Sequence, residues 1–252
     1  MALGERSETI DRADFIDVAT ETLQELIDDL RAAKEELAEL QTGPTKTFSL
    51  SDSSRFQVRS GIRIRNVDLR EHPGDVPVYS VFTRPETVKG YISKEWLLER
   101  GVEPEPYPSV TVMATGASAV GTVFYREANC VMTDDVVIVQ SWPMEDDRLQ
   151  LSFEDDAESV EESIDDITPE HDIDLAYLAV ALSQTIAQGG YLYEAKLYTK
   201  RVAQLSVEVP VNAEGDPDIE RQRQIAAVAK RLDQIRSKLQ ETGAWSKSVR
   251  LA

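Results

Sequence analysis

Ile16, Ala19, Leu23, Leu26, Leu30, Ala33, Leu37 and Leu40 recur at steps of three and four without a break. That narrow apolar seam specifies an amphipathic helix of the coiled-coil kind. Asp28, Asp29, Arg31, Lys34, Glu35 and Glu36 occupy its other faces, and Gly43 with Pro44 forms a stop. From Asp14 to Thr42 the spacing predicts a rod of roughly 43 Å at 1.5 Å per residue. A second helix is predicted near the end of the sequence. Ile219, Ile225, Ala229, Leu232, Ile235 and Leu239 continue a helical pattern after Pro217, with Gly243 as the expected stop. Asp218 is a natural N-cap, and Arg221 at the third helical position rules out a capping box. A helix with one apolar seam must bury it. Leu23, Leu26, Leu30, Leu37 and Leu40 on the first helix and Ile225, Leu232 and Leu239 on the second are therefore the expected pairing residues. The pairing is either an antiparallel hairpin within the chain or a contact with a partner chain.

Between the helices the sequence turns to short β-branched and aromatic runs. "RFQVRSGIRIRNVDL" alternates charged and apolar residues, and "VPVYSVF", "SVTVMAT", "TVFYRE", "CVMT" and "DVVIVQS" are separated by Pro, Gly, Asn and Asp. "IDLAYLAVALSQTIAQ" has helical spacing, and "RVAQLSVEVPV" reads as a final strand. The expected fold class is α+β: a mostly antiparallel, β-rich domain flanked by two long coiled-coil-like helices. The expected division is residues 1–43 for the first helix, 44–212 for the β-rich domain and 213–252 for the second helix and tail. Residues 145–172 form an acidic insertion of low hydrophobicity within that domain.

Gly116 and Gly121 enclose four residues, as in a phosphate-binding loop. Such a loop needs a lysine directly after the second glycine to reach the outer phosphates, and a helix behind it. Here Thr122 follows Gly121, and "TVFYRE" is strand-like. The stretch is a strand, a glycine turn and a second strand, then a turn at "EAN" and a third strand. No Asn/Asp-Pro-Pro-aromatic tetrapeptide of amino methyltransferases occurs. Asp134 and Asp135 run into "VVIVQ", without the Glu-x-Lys of a nuclease centre. No catalytic residues are expected.

The formal charge of −19 argues on its face against a nucleic-acid partner. It is unevenly spread. Residues 145–172 hold thirteen acidic residues against Arg148 alone, which leaves −7 for the rest, and arginines outnumber lysines eighteen to nine. An acid-rich, lysine-poor composition of this kind suits a salt-adapted cytoplasm. Cys130 is the only cysteine, and His72 and His171 are the only histidines, so neither an internal disulfide nor a Cys/His zinc site is expected. The polar start "MALGERSETIDRADF" and the short apolar run "LAYLAVALS" predict neither a signal peptide nor a membrane span. The expected location is a prokaryotic cytoplasm.

Several segments in succession carry a family resemblance. "GDVPVYSVF" is followed by "KGYISKEWL", then by "VTVMATGASAVGTVFY" and "MTDDVVIV". Later come "YLYEAKLYTKRVAQLSVEVPV", "NAEGDPD" and "IERQRQIAAVAKRLDQI". In order and spacing, from about Phe48 to Leu239, the chain resembles the target-recognition domain of specificity (S) subunits of type I restriction–modification systems and their type IIB relatives. The resemblance implies a non-catalytic subunit that grips double-stranded DNA. It would tell an associated N6-adenine methyltransferase, and in some systems a restriction/translocase subunit, where to act. No cofactor is then expected in this chain, and S-adenosylmethionine belongs to the methyltransferase. Full-length members carry two recognition domains separated by helices that act as a ruler. With one domain, this chain resembles a half-subunit that would form a homodimer or pair with a second S-like chain.

Basic residues cluster in "RFQVRSGIRIRNVDLR" and "YEAKLYTKR". Such side chains set position through phosphates and read base edges in the major groove. The expected DNA-binding residues are Arg55, Arg59, Arg63, Arg65, Arg84, Lys89, Lys94, Ser118, Lys196, Tyr198, Lys200 and Arg201. The Gly61 turn, the Gly116–Gly121 turn and the Lys196–Arg201 loop are expected on one surface. The competing readings are an acidic protein-interaction module, or a DNA mimic that blocks nucleic-acid enzymes.

Overall fold

The computed structural model describes residues 12–116, 119–141, 172–189 and 196–248. The expected acidic insertion, Asp172 apart, lies outside the described residues. Contacts divide the chain into two compact units: Met1–Gly43 with Gln224–Ala252, and Pro44–Arg223.

In the first unit, helix α1 (Arg12–Leu40) meets the later turns of helix α6 (Ile219–Ser248). Leu26 and Ala33 are buried with Val228, Leu232 and Ile235, and Leu30, Leu37, Leu40 and Leu239 pack around them. The pairing is thus made within one chain. Ala33 is fully buried, as a small residue must be where two helix backbones approach. On α6 the buried position is Val228 instead of Ala229. The expected stop at Gly243 fails, because α6 continues to Ser248. A single glycine inside a helix costs only about 1 kcal/mol relative to alanine, which neighbouring turns absorb. Asp218 does cap the helix, accepting from the Arg221 amide at 3.0 Å.

The second unit contains the β-structure. Strands β1 (Thr45–Ser49), β2 (Phe56–Ser60), β3 (Val76–Tyr79) and β4 (Gly90–Ile92) come first, with α2 (Asn66–Glu71) between β2 and β3. Then follow α3 (Lys94–Glu99), β5 (Ser109–Met113), β6 (Val123–Arg126), β7 (Val131–Met132) and β8 (Val136–Ser141). Helices α4 (Leu175–Gln188) and α5 (Thr199–Ala203) precede β9 (Ser206–Pro210). Among the described residues the strands form three sheets, ordered β1-β9, β2-β8-β5-β6 and β4-β3-β7. The pairings are antiparallel except β3 with β7. The fold class is α+β.

β5 and β8 are buried along their whole length, which explains the continuous Val136–Val139 run of β8, whereas β5 alternates and buries Ser109 and Thr111 as well. α4 packs against β5, β6 and β9, and its Tyr177 hydroxyl donates to the Glu208 carbonyl at 2.6 Å. Met113, Ala119, Cys130, Met132, Val136 and Ile138 form one core cluster. Ile64, Val76, Val78, Ile92, Trp96, Leu97 and Val131 form another.

Two expected strands are partly helical. The alternation of "RFQVRSGIRIRNVDL" pairs as a strand only to Ser60. At Arg65 the backbone amide donates to the Asp68 carboxylate at 2.8 Å, and α2 starts there. Likewise "RVAQ" belongs largely to α5, and only Ser206–Pro210 pairs as a strand. The two units meet in sequence at Arg223, later than residue 212. The fully buried Gln222 accepts from the Asp174 amide at 2.9 Å and donates to the Asp172 carbonyl at 3.1 Å, and so keeps the first turn of α6 with the larger unit.

Candidate nucleic-acid interface

β2 and β5 finish, and β6 and β8 begin, at the same end of the four-stranded sheet, because Ser60 pairs with Val137, Met113 with Val136 and Val112 with Val123. Backbone bonds gather the adjoining loops there. The Gly61 amide donates to the Val136 carbonyl at 3.0 Å, Ala114 to Asp135 at 3.0 Å and Leu197 to Ala114 at 3.1 Å. The hydroxyls of Ser60 and Thr199 lie 2.7 Å apart. Gly116 and Gly121 have positive φ values of 93° and 81° and join strand to strand, so no phosphate-type loop exists here. A Cβ at Gly121 would stand 2.7 Å from Ile186 Cγ2, so the turn lies close against α4. The Gly61 turn, the Gly116–Gly121 turn and the Lys196–Arg201 segment are therefore brought together at one sheet end.

The basic side chains expected from sequence divide into three groups. Lys196, Lys200 and Arg201 are exposed beside Tyr198, which is 55% exposed with Lys196 Nζ 5.8 Å from its ring centre. Arg63 belongs to the same sheet end. Its side chain is 79% exposed, and Nη1 lies 3.5 Å from Asp134 Oδ2.

Arg65 and Lys89 hold the neighbouring loops, and Arg84 lies in one of them. Arg65 donates through Nη2 and Nε to the Asp68 carboxylate at 2.8 and 3.1 Å. These bonds and that from the Arg65 amide hold the Asp68 carboxyl down to about 2. Lys89 Nζ donates to the Ile64 carbonyl at 2.5 Å. Arg84 is exposed in the β3–β4 loop, where the next carbonyl, Pro85, accepts from the buried Arg126. The Arg126 guanidinium lies 3.9 Å from the Tyr79 ring centre and 4.8 Å from that of Phe124.

Arg55, Arg59 and Lys94 lie elsewhere. Arg55 precedes β2, at the opposite end of that strand, and donates to Asp172 at 2.5 Å with its guanidinium over Phe48. Arg59 forms an ion pair with the buried Glu105, which also accepts from Gln140 at 3.2 Å. Lys94 follows Ile92, which pairs with Val76 at the end of β3 away from Tyr79. Ser118 lies outside the described residues. Sequence reading missed Asp134 as a partner for Arg63, Glu105 as a buried partner for Arg59, and Arg126. Nothing short of strand register reveals the first two.

Among the described residues, no group of three metal-ligating side chains occurs, and no helix is long and apolar enough to cross a membrane. Burial pushes the Cys130 thiol up to about 12, so it stays protonated at neutral pH.

This β-rich unit, together with a unit of two paired long helices, has the fold of type I restriction–modification S subunits. The S subunit of M. genitalium matches with a TM-score of 0.52 at 13% identity, over 94% of this chain and 58% of that one. The HsdS subunit of Thermoanaerobacter tengcongensis matches at 0.51 and 12%, over 94% and 50%. A third chain, from work on complex assembly and conformational transition of the type I system, matches at 0.51 and 9%, over 94% and 53%. This chain thus spans about half the length of each. No protein-family model matches the sequence, and no curated protein sequence matches it.

Proposed function

We propose that this chain is the DNA-recognition half-subunit of a restriction–modification system. It binds double-stranded DNA through the end of the β2-β8-β5-β6 sheet and directs an N6-adenine methyltransferase, which carries S-adenosylmethionine, to its site. A restriction/translocase subunit joins the same complex where the system has one. The observation that carries this reading is the convergence of Arg63, Lys196, Lys200 and Arg201 at one sheet end, from segments far apart in the chain. The likeness in fold to S subunits supports it. One recognition domain reads one half of a divided site, so the chain acts as a homodimer or with a second S-like chain. Its net charge does not oppose the role, since thirteen of its acids fall in residues 145–172.

The test is binding of the purified chain to a duplex library with a randomised core, at low and at high salt. Enrichment of a motif, with affinity falling as salt rises, is the expected result. Absence of DNA binding at both salt concentrations would overturn the reading and return the acidic-mimic alternative.

A further inference from the structure

Within this recognition reading, on which the inference rests, we propose that Arg63, aimed by Asp134, reads a guanine edge in the major groove and is a specificity-determining residue. The argument begins in the backbone. Ile62 and Thr133 are bridge partners, and the Ile62 amide donates to the Met132 carbonyl at 2.9 Å. A Cβ at Gly61 would stand 2.2 Å from the Met132 carbonyl oxygen and 2.4 Å from that of Thr133. The two chain segments are therefore pressed together with no room for a side chain. Arg63 and Asp134 each follow a member of that bridge pair, so both leave the same rigid crossing. Base reading needs side chains held in this way, with an orienting partner supplied by a fixed element.

Charge distinguishes the target. Asp134 is a solvent-accessible carboxylate 3.5 Å from the guanidinium. Asp135 beside it accepts from the Thr115 hydroxyl at 3.1 Å. Two carboxylates at one turn repel a phosphate. A base edge is uncharged, and the guanidinium fork matches the O6 and N7 acceptors of guanine. Asp134 itself is able to accept from a cytosine N4 amine. Lys196, Lys200 and Arg201, by contrast, form no ion pair with any of the described residues, which suits them to phosphate contacts. The structure thus separates one reading side chain from a group of anchoring ones.

The experiment repeats the randomised-duplex selection with the full chain, Arg63→Ala, Arg63→Lys and Asp134→Asn, each checked for an unchanged thermal melt. Arg63→Ala is expected to lose about 10- to 100-fold of discrimination for guanine at one motif position, leaving the other positions intact. Lysine lacks the fork, so Arg63→Lys is expected to weaken preference at that same position. Asp134→Asn should weaken it there too, and an unchanged preference in that variant removes the aiming role. An unaltered motif in Arg63→Ala, whether affinity falls uniformly or not at all, overturns the proposal while the recognition reading stands. A wild-type chain that enriches no motif overturns both.

Discussion

The Leu197 amide donates to the Ala114 carbonyl at 3.1 Å, and so fixes the Lys196–Arg201 segment beside the end of β5. Leu197 is itself fully buried between exposed Lys196 and Tyr198. The segment is therefore anchored by the Leu197 side chain, its backbone bond and the Ser60–Thr199 hydroxyl contact, while its cations face water. Replacing Lys200 and Arg201 together by alanine should weaken binding about equally to all DNA sequences. It should also flatten the salt dependence by about one unit per lost phosphate contact. Fluorescence anisotropy across a salt series checks this, and an unchanged slope would remove the segment from the interface.

Much of the fold was legible in the sequence because periodicity reports burial. The three-and-four spacing of Leu26, Leu30, Ala33 and Leu37 appears directly as the α1 seam, and the β-branched run of β8 is a central strand beside β5. The function of individual arginines was not legible. Arg55, Arg59 and Arg63 look equivalent in "RFQVRSGIR", and their fates depend on partners far away in sequence. Asp172 engages the first, buried Glu105 the second, and a bridge at Thr133 sets an exposed Asp134 beside the third. The helix α2 was missed for a related reason. Its start depends on Asp68 bonding back to the Arg65 amide, a local competition that apolar spacing does not record.

Arg59 offers a contrast with the anchoring cations. Its partner Glu105 is buried, and the remaining contact of that carboxylate to another side chain is Gln140. Removing Arg59 leaves a desolvated carboxylate short of a donor. Arg59→Ala is expected to cost about 1–3 kcal/mol of stability. The salt dependence of DNA binding should stay as in the wild type. Urea denaturation together with the salt series measures both. A reduced salt slope in this variant would place Arg59 on the DNA after all.

Asp68 predicts a feature of the acid limb of stability. Bonds from Arg65 hold its carboxyl near 2, below the unfolded value of about 4. A lowered native value favours the folded state wherever the carboxylate is charged in both states, above about pH 4. That contribution fades as pH falls from about 4 towards 2. Asp68→Asn lacks the ionised acceptor throughout, so its stability deficit relative to the wild type should shrink over that window. Denaturant midpoints at pH 5, 4, 3 and 2 give the comparison, and a constant difference would contradict the Arg65–Asp68 linkage.

The helix pair makes the last prediction, because its seam is only partly covered. Leu232 is buried against Leu26 and Ala33, and Leu232→Ala should cost about 2–4 kcal/mol by loss of packing. Leu23 continues the same seam yet is 39% exposed, and Ile27 on the adjoining turn is 43% exposed. In the homodimer proposed above, these two exposed apolar side chains are where a second chain would pack. Leu23→Ser should therefore change monomer stability by no more than about 0.5 kcal/mol, as surface substitutions do. The same change should lower the dimer fraction in sedimentation velocity. Leu232→Ala lowers the melting point at every protein concentration, whereas Leu23→Ser lowers only its concentration-dependent part. A dimer fraction unmoved by Leu23→Ser would shift the partner surface away from this end of α1.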